Sequence, residues 1–581
     1  MKRLLTLLIA AMMLLSLFAG CAKTKTSSSD TSSTASVETK KEEPKKEEPK
    51  KEEPKKEETK KEEPKKEEKK EEAPVEEKSI YNETGYPIMN ELTTFTAYNS
   101  WETEAAPWGD DQAIFRAMRD LTNIDWEFSN IPYTEYETKL NLEFAAGIYY
   151  DYYPSWAPGE ILYNYGVKGG VLYEFSDKIK DVMPNLWMLQ ETYPDILKIV
   201  TENDGGIYTV PEVCYTATAG TGNVYVRTDY LAEAGFDHEP TTVDEFYDVL
   251  VGMQKTVGQR IDGFIPYLPY SVGQINRDNE MFIFAALGDY ANTGFNLDEN
   301  GKVIYAGATE QMRRYFEFMS KIYKEKLFNN EAYTMEPATA LAMIQSGQTG
   351  VTTYGTVISM DSFPSGNYDV SLMAPLTSEY SNVQKIDAQM PISKSGRCIS
   401  TQCEYPDAIL RWIDVLYSQE DVAPGLNAIS MWLGIRGETW DYTDDTKKFY
   451  ARLAPEGTEN INVWVVSYAA PQTHYGLNFT AIADDASAGL KVKGLGYLEK
   501  HLPYEVEPFP SRYFVFSDAD TERYQNLWTD ISAYIDEMKA KFISGVESVD
   551  NFDKYVETLD KMMIGEVCEI MQRGYDAFMA Q

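Results

Sequence analysis

Between Glu91 and Tyr98 apolar and polar side chains alternate, the period of a strand with one buried face, and Asn99-Ser100-Trp101 follows as a loop. The period then changes. Ile114, Phe115, Met118 and Leu121 fall on one face of a helix preceded by Asp110 and Asp111, where acids favour the positive end of the helix dipole. Ile124 to Phe128 reads as the next strand and Tyr133 to Ala146 as the next helix. Strand and helix in alternation predict an α/β body with a parallel sheet and crossover helices. The same grammar returns at Asn223 to Arg227, a strand. Thr242-Val243-Asp244-Glu245 then reads as a capping box opening a helix with Phe246, Val249, Leu250 and Met253 on one face. Leu297 to Tyr305, centred on Asn300-Gly301, predicts a hairpin, and Gln311 to Tyr323 and Ala338 to Gln345 predict helices. The C-terminal third is helical: Ile531, Tyr534, Ile535, Met538 and Phe542 share a face, and Phe552 to Phe578 continues after a break near Gly545.

The N-terminus follows none of these patterns. Lys2 and Arg3 precede an apolar run from Leu4 to Phe18 and small residues, the layout of a secretory signal. The run of 15 residues is short for a bilayer core. Leu17-Phe18-Ala19-Gly20-Cys21 resembles the bacterial lipobox, which implies a signal peptide over 1–20 and a lipid on the Cys21 thiol. A plain secretion signal and an uncleaved membrane helix are the other readings. Residues 21–79 are Ser/Thr-rich and then carry seven Lys-Lys-Glu-Glu units between Lys40 and Glu72. Glu and Lys at i,i+4 favour a helix, but Pro44, Pro49, Pro54, Pro64 and Pro74 break it. With almost nothing apolar to bury, the segment is expected to be a disordered, extended spacer.

Charge sharpens the picture once divided by segment. Residues 1–37 sum to +3 and 38–78 to −2, which leaves −39 on the body. Such an excess argues against nucleic acid, whose binding needs clustered Lys and Arg, and weakly against polyanionic ligands. After Cys21 there are four cysteines: Cys398 and Cys403 are close enough in sequence for a local disulfide, with buried free thiols the alternative for these and for Cys214 and Cys568. Only three histidines occur, and none has metal-ligand spacing, so no metal and no cofactor are expected.

Several blocks, in a common order, resemble the bacterial extracellular solute-binding proteins of family 1, in the large lipoprotein branch serving oligosaccharide ABC importers. They are Leu140 to Gly147 with Asp151, Gly206 to Pro211, Val226 to Gly235 with Pro240-Thr241 and Asp244 to Phe246, Gln345 to Gly350, Gly434 to Tyr442, and Ile543 to Gly545 with Phe552 to Tyr555. The block from Val226 is the most specific. The resemblance implies a two-lobed periplasmic-binding-protein-like fold with a hinge. Lobe 1 would be 86–213 plus about 377–433, and lobe 2 would be 214–376 plus about 434–581. It implies no enzyme activity but capture of an oligosaccharide by a monomer, delivery to ABC permease transmembrane subunits, and a membrane tether at the extracellular face of a Gram-positive cell. One departure matters: where alginate-type relatives carry a calcium loop, Lys255 to Gly263 holds a single acid, Asp262, so no such site is expected. Asp298-Glu299-Asn300-Gly301 is acidic too, but reads as a hairpin.

Sugar binding needs concave aromatic surface for C–H faces and short polar groups for hydroxyls. In open α/β sheets that surface lies beyond the carboxyl ends of strands. The candidate ligand-binding residues are therefore Asn99, Trp101, Asp151, Tyr152, Trp156, Tyr215, Tyr354 and Trp432, with no catalytic residue. Asp151 could instead cap the next turn. Arg227 is expected to brace the hinge. A glycosidase would also be acidic and aromatic, and 74 acids in the body leave a carboxylate pair possible. No Gly-x-Ser-x-Gly, phosphate loop or His-Glu-x-x-His accompanies them. A peptide-binding or adhesive surface lipoprotein is the remaining alternative.

Overall fold

Alternating residues of the first strand segment form β1 (Thr93–Trp101), which lies inside a four-stranded sheet of order β13-β3-β1-β2. β1 runs parallel to β2 (Ile124–Pro132) over its whole length, with Thr93 opposite Ile124 and Trp101 opposite Pro132. It is also parallel to β3 (Tyr152–Tyr153), and β13 (Cys398–Ile399) closes that edge antiparallel. The computed structural model describes residues 80–101, 109, 112–155, 157–213, 223–270, 275–353, 370–388, 392–394, 396–458, 461–469, 482–483 and 495–580. All belong to the unit Glu77–Gln581. The signal segment, Cys21, the spacer, Asp110, Asp111 and Cys214 lie outside them, as do Trp156, Tyr215 and Tyr354 of the candidate site.

Between β1 and β2 runs α1 (Ala113–Thr122), which buries Ile114, Phe115 and Met118 as its periodicity predicts. α2 spans Tyr133–Ala146, the predicted bounds, and stops at Gly147, whose φ of 73° suits a residue without Cβ. β1 outruns its prediction. Asn99, Ser100 and Trp101 continue the strand because β2 supplies partners as far as Pro132, so a tertiary ladder overrides their weak strand preference.

The second sheet has order β10-β5-β9-β6 and is mixed rather than parallel. β5 (Val224–Arg227) is antiparallel to both β9 (Thr349–Thr353) and β10 (Val370–Leu372), while β6 (Ile265–Leu268) is parallel to β9. Against it pack α3 (Val243–Lys255) and α4 (Glu310–Lys324). The Thr242 hydroxyl accepts the Glu245 N–H at 3.1 Å, as a capping box requires. The Glu245 carboxylate reaches one residue further back than expected, to the N–H and hydroxyl of Thr241. β7 (Phe295–Leu297) and β8 (Val303–Tyr305) make the predicted hairpin. Asp298 is a turn former there: its Oδ1 accepts the N–H groups of Asn300 and Lys302 at 2.8 and 2.9 Å.

Two hydrophobic cores organise the chain. One draws on residues between Ile88 and Val213 and between Ile392 and Met431; the other on residues between Val224 and Leu376 and between Ile531 and Val567. The backbone therefore crosses between cores after β4 (Pro211–Val213), before β12 (Ile392–Lys394), and beyond Phe514. β4 and β12 pair antiparallel at two of these crossings. β11 (Ile386–Asp387), on the same crossing as β12, pairs parallel with β17 (Glu505–Val506). The remaining sheet joins β14 (Trp440–Tyr442), β15 (Phe449–Arg452) and β16 (Ile482–Ala483).

Three C-terminal helices replace the two expected. α7 (Asp518–Ser544) ends at Gly545, α8 (Phe552–Lys561) follows, and α9 (Ile564–Ala580) starts anew after Met563. Met563 has φ 70°, a left-handed residue that interrupts the predicted continuous helix. α9 buries Ile564 and Val567 in one core and Met571 and Phe578 in the other. α7 and α9 are antiparallel partners, linked by Arg523 to Glu566 and Arg573 to Asp520. Cys398 and Cys403 are buried free thiols, so the local disulfide is not formed.

Asp414 ends α5 (Pro406–Asp414) inside the first core and accepts the N–H groups of Asn185 and Leu186 at 3.1 and 2.9 Å. Burial pushes its carboxyl up to about 7, against the lowering effect of those N–H donors. A raised acid holds its proton in the folded chain after the unfolded chain has lost it, so this group's contribution to stability falls as pH rises from about 4 to about 7. Asp414→Asn removes that dependence. Its urea midpoint is expected to gain on the wild type steadily across that window; a constant difference would contradict the assignment.

Candidate functional site

The carboxyl edge of the first sheet is where short polar side chains gather. Asn99, fully buried near the end of β1, donates from Nδ2 to Asn130 Oδ1 at 3.0 Å and accepts from Ser155 Oγ at 2.8 Å. Ser155 Oγ in turn accepts the Ser100 N–H at 2.8 Å. Strand ends β1 and β2 and the segment after β3 are thus joined by one amide–hydroxyl chain. Trp101 is the last residue of β1, and Trp156 directly follows Ser155 in the sequence. The network fixes the backbone at the end of β1 and at Ser155. Behind it, Tyr98, Tyr136, Tyr150 and Tyr153 pack with ring centroids 5.0 to 6.3 Å apart around Tyr98, and burial raises the Tyr98 phenol well above its ordinary value.

Not every expected residue joins this edge. Asp151 is stapled to the middle of β1: its Oδ2 accepts both the N–H and hydroxyl of Thr96 at 2.8 Å. Its own N–H returns to the Thr96 hydroxyl at 3.0 Å. That geometry is a bridge between strand segments, not a cap on the turn that follows. Tyr152 is 1% exposed and points into the first core, its ring 5.4 Å from Trp126 and 6.5 Å from Trp412. In a strand successive side chains face opposite sides, and here both faces are covered: Tyr152 packs in the first core and Tyr153, equally buried, with Tyr98 and Phe144 on the other face. Trp432 is half-buried in a separate cluster with Leu433, Trp440 and Tyr450. Tyr215 and Tyr354 follow β4 and β9 in the sequence, the ends of a crossing strand and of the second sheet's inner strand.

Arg227, expected to brace the hinge, packs on the helix that follows it. At the end of β5 its guanidinium pairs with Asp229 and lies 3.7 Å over the Tyr230 ring.

One contribution had no signal in the sequence. Gln112, buried at the start of α1, donates to the carbonyls of Val466 and Ala469 at 3.0 and 2.8 Å, and the Ile114 N–H reaches Tyr468 O. These bonds hold α6 (Ile461–Val466) and the turn after it against the N-terminus of α1. Because α1 returns from the carboxyl end of β1, they bring Trp464 and Tyr468 to the same edge. The two rings are half-buried and 4.9 Å apart. Among the described residues no group of three or more His, Cys, Asp or Glu could hold a metal ion. No helix among them is long and apolar enough to cross a membrane.

Two α/β cores joined by paired crossing strands, with polar and aromatic residues at strand ends, define a binding protein of the two-lobed periplasmic type. The sequence profile described as bacterial extracellular solute-binding protein matches residues 105–423, and the chain belongs to that family. Its role within the family is binding, not catalysis. The chain is 22% identical over 495 residues to the fructooligosaccharide ABC transporter substrate-binding protein FusA of Streptococcus pneumoniae, covering 81% of this chain and 88% of that one. Its fold is similar to that of an EF-hand mutant of FusA in complex with fructo-nystose, with TM-score 0.66 and 18% identity, over 84% of this chain and all of the other. A human-milk-oligosaccharide (HMO) binding solute-binding protein from Bifidobacterium longum infantis gives TM-score 0.65 and 18% identity, over 83% and 98%.

Proposed function

We propose that this chain is a lipid-anchored extracellular receptor that captures a neutral oligosaccharide between two lobes and delivers it to the transmembrane subunits of an ABC importer. Cys21 would carry the lipid after removal of residues 1–20, and residues 21–79 would hold the receptor clear of the membrane. Lobe 1 would comprise 86–213 with about 377–433, and lobe 2 would comprise 214–376 with about 434–581, the end of α9 reaching back to the first core.

The observation that carries the reading is the polar chain Ser100–Ser155–Asn99–Asn130 at the carboxyl edge of a sheet, flanked in sequence by Trp101 and Trp156. The overall likeness to FusA, whose name and bound sugar are fructan-related, supports a sugar as the solute. The net charge of −39 on the body favours a neutral one. Trp101, Trp156, Tyr215, Tyr354 and Trp432 would supply stacking faces, with Asn99 tying the end of β1, which carries the first, to Ser155, which precedes the second. Contacts bridging both lobes would bind the closed form better than the open one, and that difference alone drives closure.

Trp101→Ala and Trp156→Ala are each expected to weaken binding about tenfold or more, with unchanged melting temperature, because each removes a stacking face rather than core. Titration of the full chain against fructo-, malto-, manno- and xylo-oligosaccharides checks this. Wild-type affinity in both variants removes them from the site, and heat from peptides alone overturns the reading.

A further inference from the structure

We propose that a cavity beside the carboxyl edge of the first sheet is an extension of the sugar site that takes further glycosyl units of a neutral oligosaccharide. The proposal rests on the function proposed above and adds to it a determinant of chain length. The cavity has a volume of about 660 Å³, inside the about 300–1,000 Å³ typical of ligand pockets. It begins where the polar network ends: Ser155 bonds Asn99, and Ala157, two residues on, is part of the cavity wall.

The wall has the chemistry of a saccharide subsite. Tyr163, from the π-helical turn Leu162–Val167, and Phe514 and Phe516, set edge to face with centroids 6.2 Å apart, supply ring surface. Asn203, Thr521 and Gln525 supply neutral hydrogen-bonding groups. Tyr163 is fixed in place: its hydroxyl donates to Asp518, and the Lys168 ammonium lies 4.3 Å from its ring centre while pairing with the same Asp518 at 3.1 Å. A platform held before binding loses less entropy on binding.

Charge sets the class of sugar. Four acids (Glu160, Glu202, Asp518, Glu522) and three bases (Lys168, Lys394, Arg512) line the cavity, a sum of −1. Lys168 is paired with Asp518, and Lys394 with Glu202 at 2.8 Å. No surplus of positive charge exists to neutralise a uronate, so the units are neutral.

The test compares short and long members of neutral series, kestose with fructo-nystose and the corresponding malto-, manno- and xylo-oligosaccharides, by calorimetry on the full chain. The wild type is expected to bind the longer member of its series about tenfold more tightly, an increment of about 1.4 kcal/mol. Tyr163→Ala and, independently, Gln525→Trp, which fills the cavity from α7, are expected to abolish most of that increment and leave the shorter member's affinity unchanged. The proposal is overturned if the wild type shows no length increment, if both variants retain it, or if they weaken short and long members alike. Failure of every series to bind the wild type overturns the proposed function itself.

Discussion

Replacing Tyr152 with alanine is expected to lower the stability of the folded chain by about 3–5 kcal/mol and to leave ligand affinity, measured on the folded protein, unchanged. The ring is 1% exposed and meets Trp126, while Trp126 and Trp412 stand edge to face at 5.2 Å with 76° between their planes. Removing it opens a cavity beside two large aromatic side chains, Trp126 and Trp412, that cannot collapse without moving β3 or the helix Pro406–Asp414. Sequence placed Tyr152 among ligand-binding residues, and this variant separates the two roles. A lost transition midpoint with retained affinity is the signature of core; retained stability with lost affinity is that of a sugar platform.

Lys539→Met is expected to be of similar size, about 3–5 kcal/mol, because it leaves a buried carboxylate without its partner. Lys539, on α7, reaches Glu280 Oε1 at 2.8 Å, and the two side chains are 10% and 3% exposed. Thr293 donates its hydroxyl to the other oxygen of Glu280. The pair ties the longest helix of the C-terminal third to the segment Ile275–Phe284 of the second core. Combining Lys539→Met with Glu280→Gln should recover most of the loss, since the remaining group carries no charge. Equal urea midpoints for the single and double variants would show that charge burial is not the cause. The exposed pairs between α7 and α9, Arg523 with Glu566 and Arg573 with Asp520, are expected to matter much less, as solvent screens them.

Much of the fold was legible because local pattern and tertiary packing agree. Tyr133–Ala146 carries its own apolar face and a glycine stop, and its predicted ends are the observed ones. Thr242, the Asn300-Gly301 turn and Gly545 likewise act within a few residues of themselves. What the sequence misread depended on distant partners. Asn99 to Trp101 look like a loop until β2 is laid beside them. The antiparallel neighbours of β5 arrive from Thr349–Thr353 and Val370–Leu372, more than a hundred residues on, and no local period encodes their direction. Met562 and Met563 have good helical neighbours, and nothing in composition marks the left-handed residue between α8 and α9.

The site divides in the same way. Asn99 was recognised as a short polar residue at a strand end, and it does sit at that edge, although buried and bonded to Asn130 and Ser155 rather than open. Asp151 and Tyr152 follow α2 at the right distance, but both faces of β3 are covered, so Tyr152 is buried, and Thr96 engages Asp151. Trp464 and Tyr468 were invisible because their link to the sheet is Gln112, 354 residues from Val466. A composition rich in aromatics does not say which rings are core.

Calorimetry of the full chain against the size-graded neutral series, with the sugar analysed after release, tests the proposal that this receptor holds a neutral oligosaccharide and returns it unaltered. Saturable heat at about one sugar per chain is expected for one series, none for peptides or uronic oligosaccharides of the same length, and the sugar is expected back intact. Binding of peptides alone, or recovery of hydrolysed sugar, would contradict it.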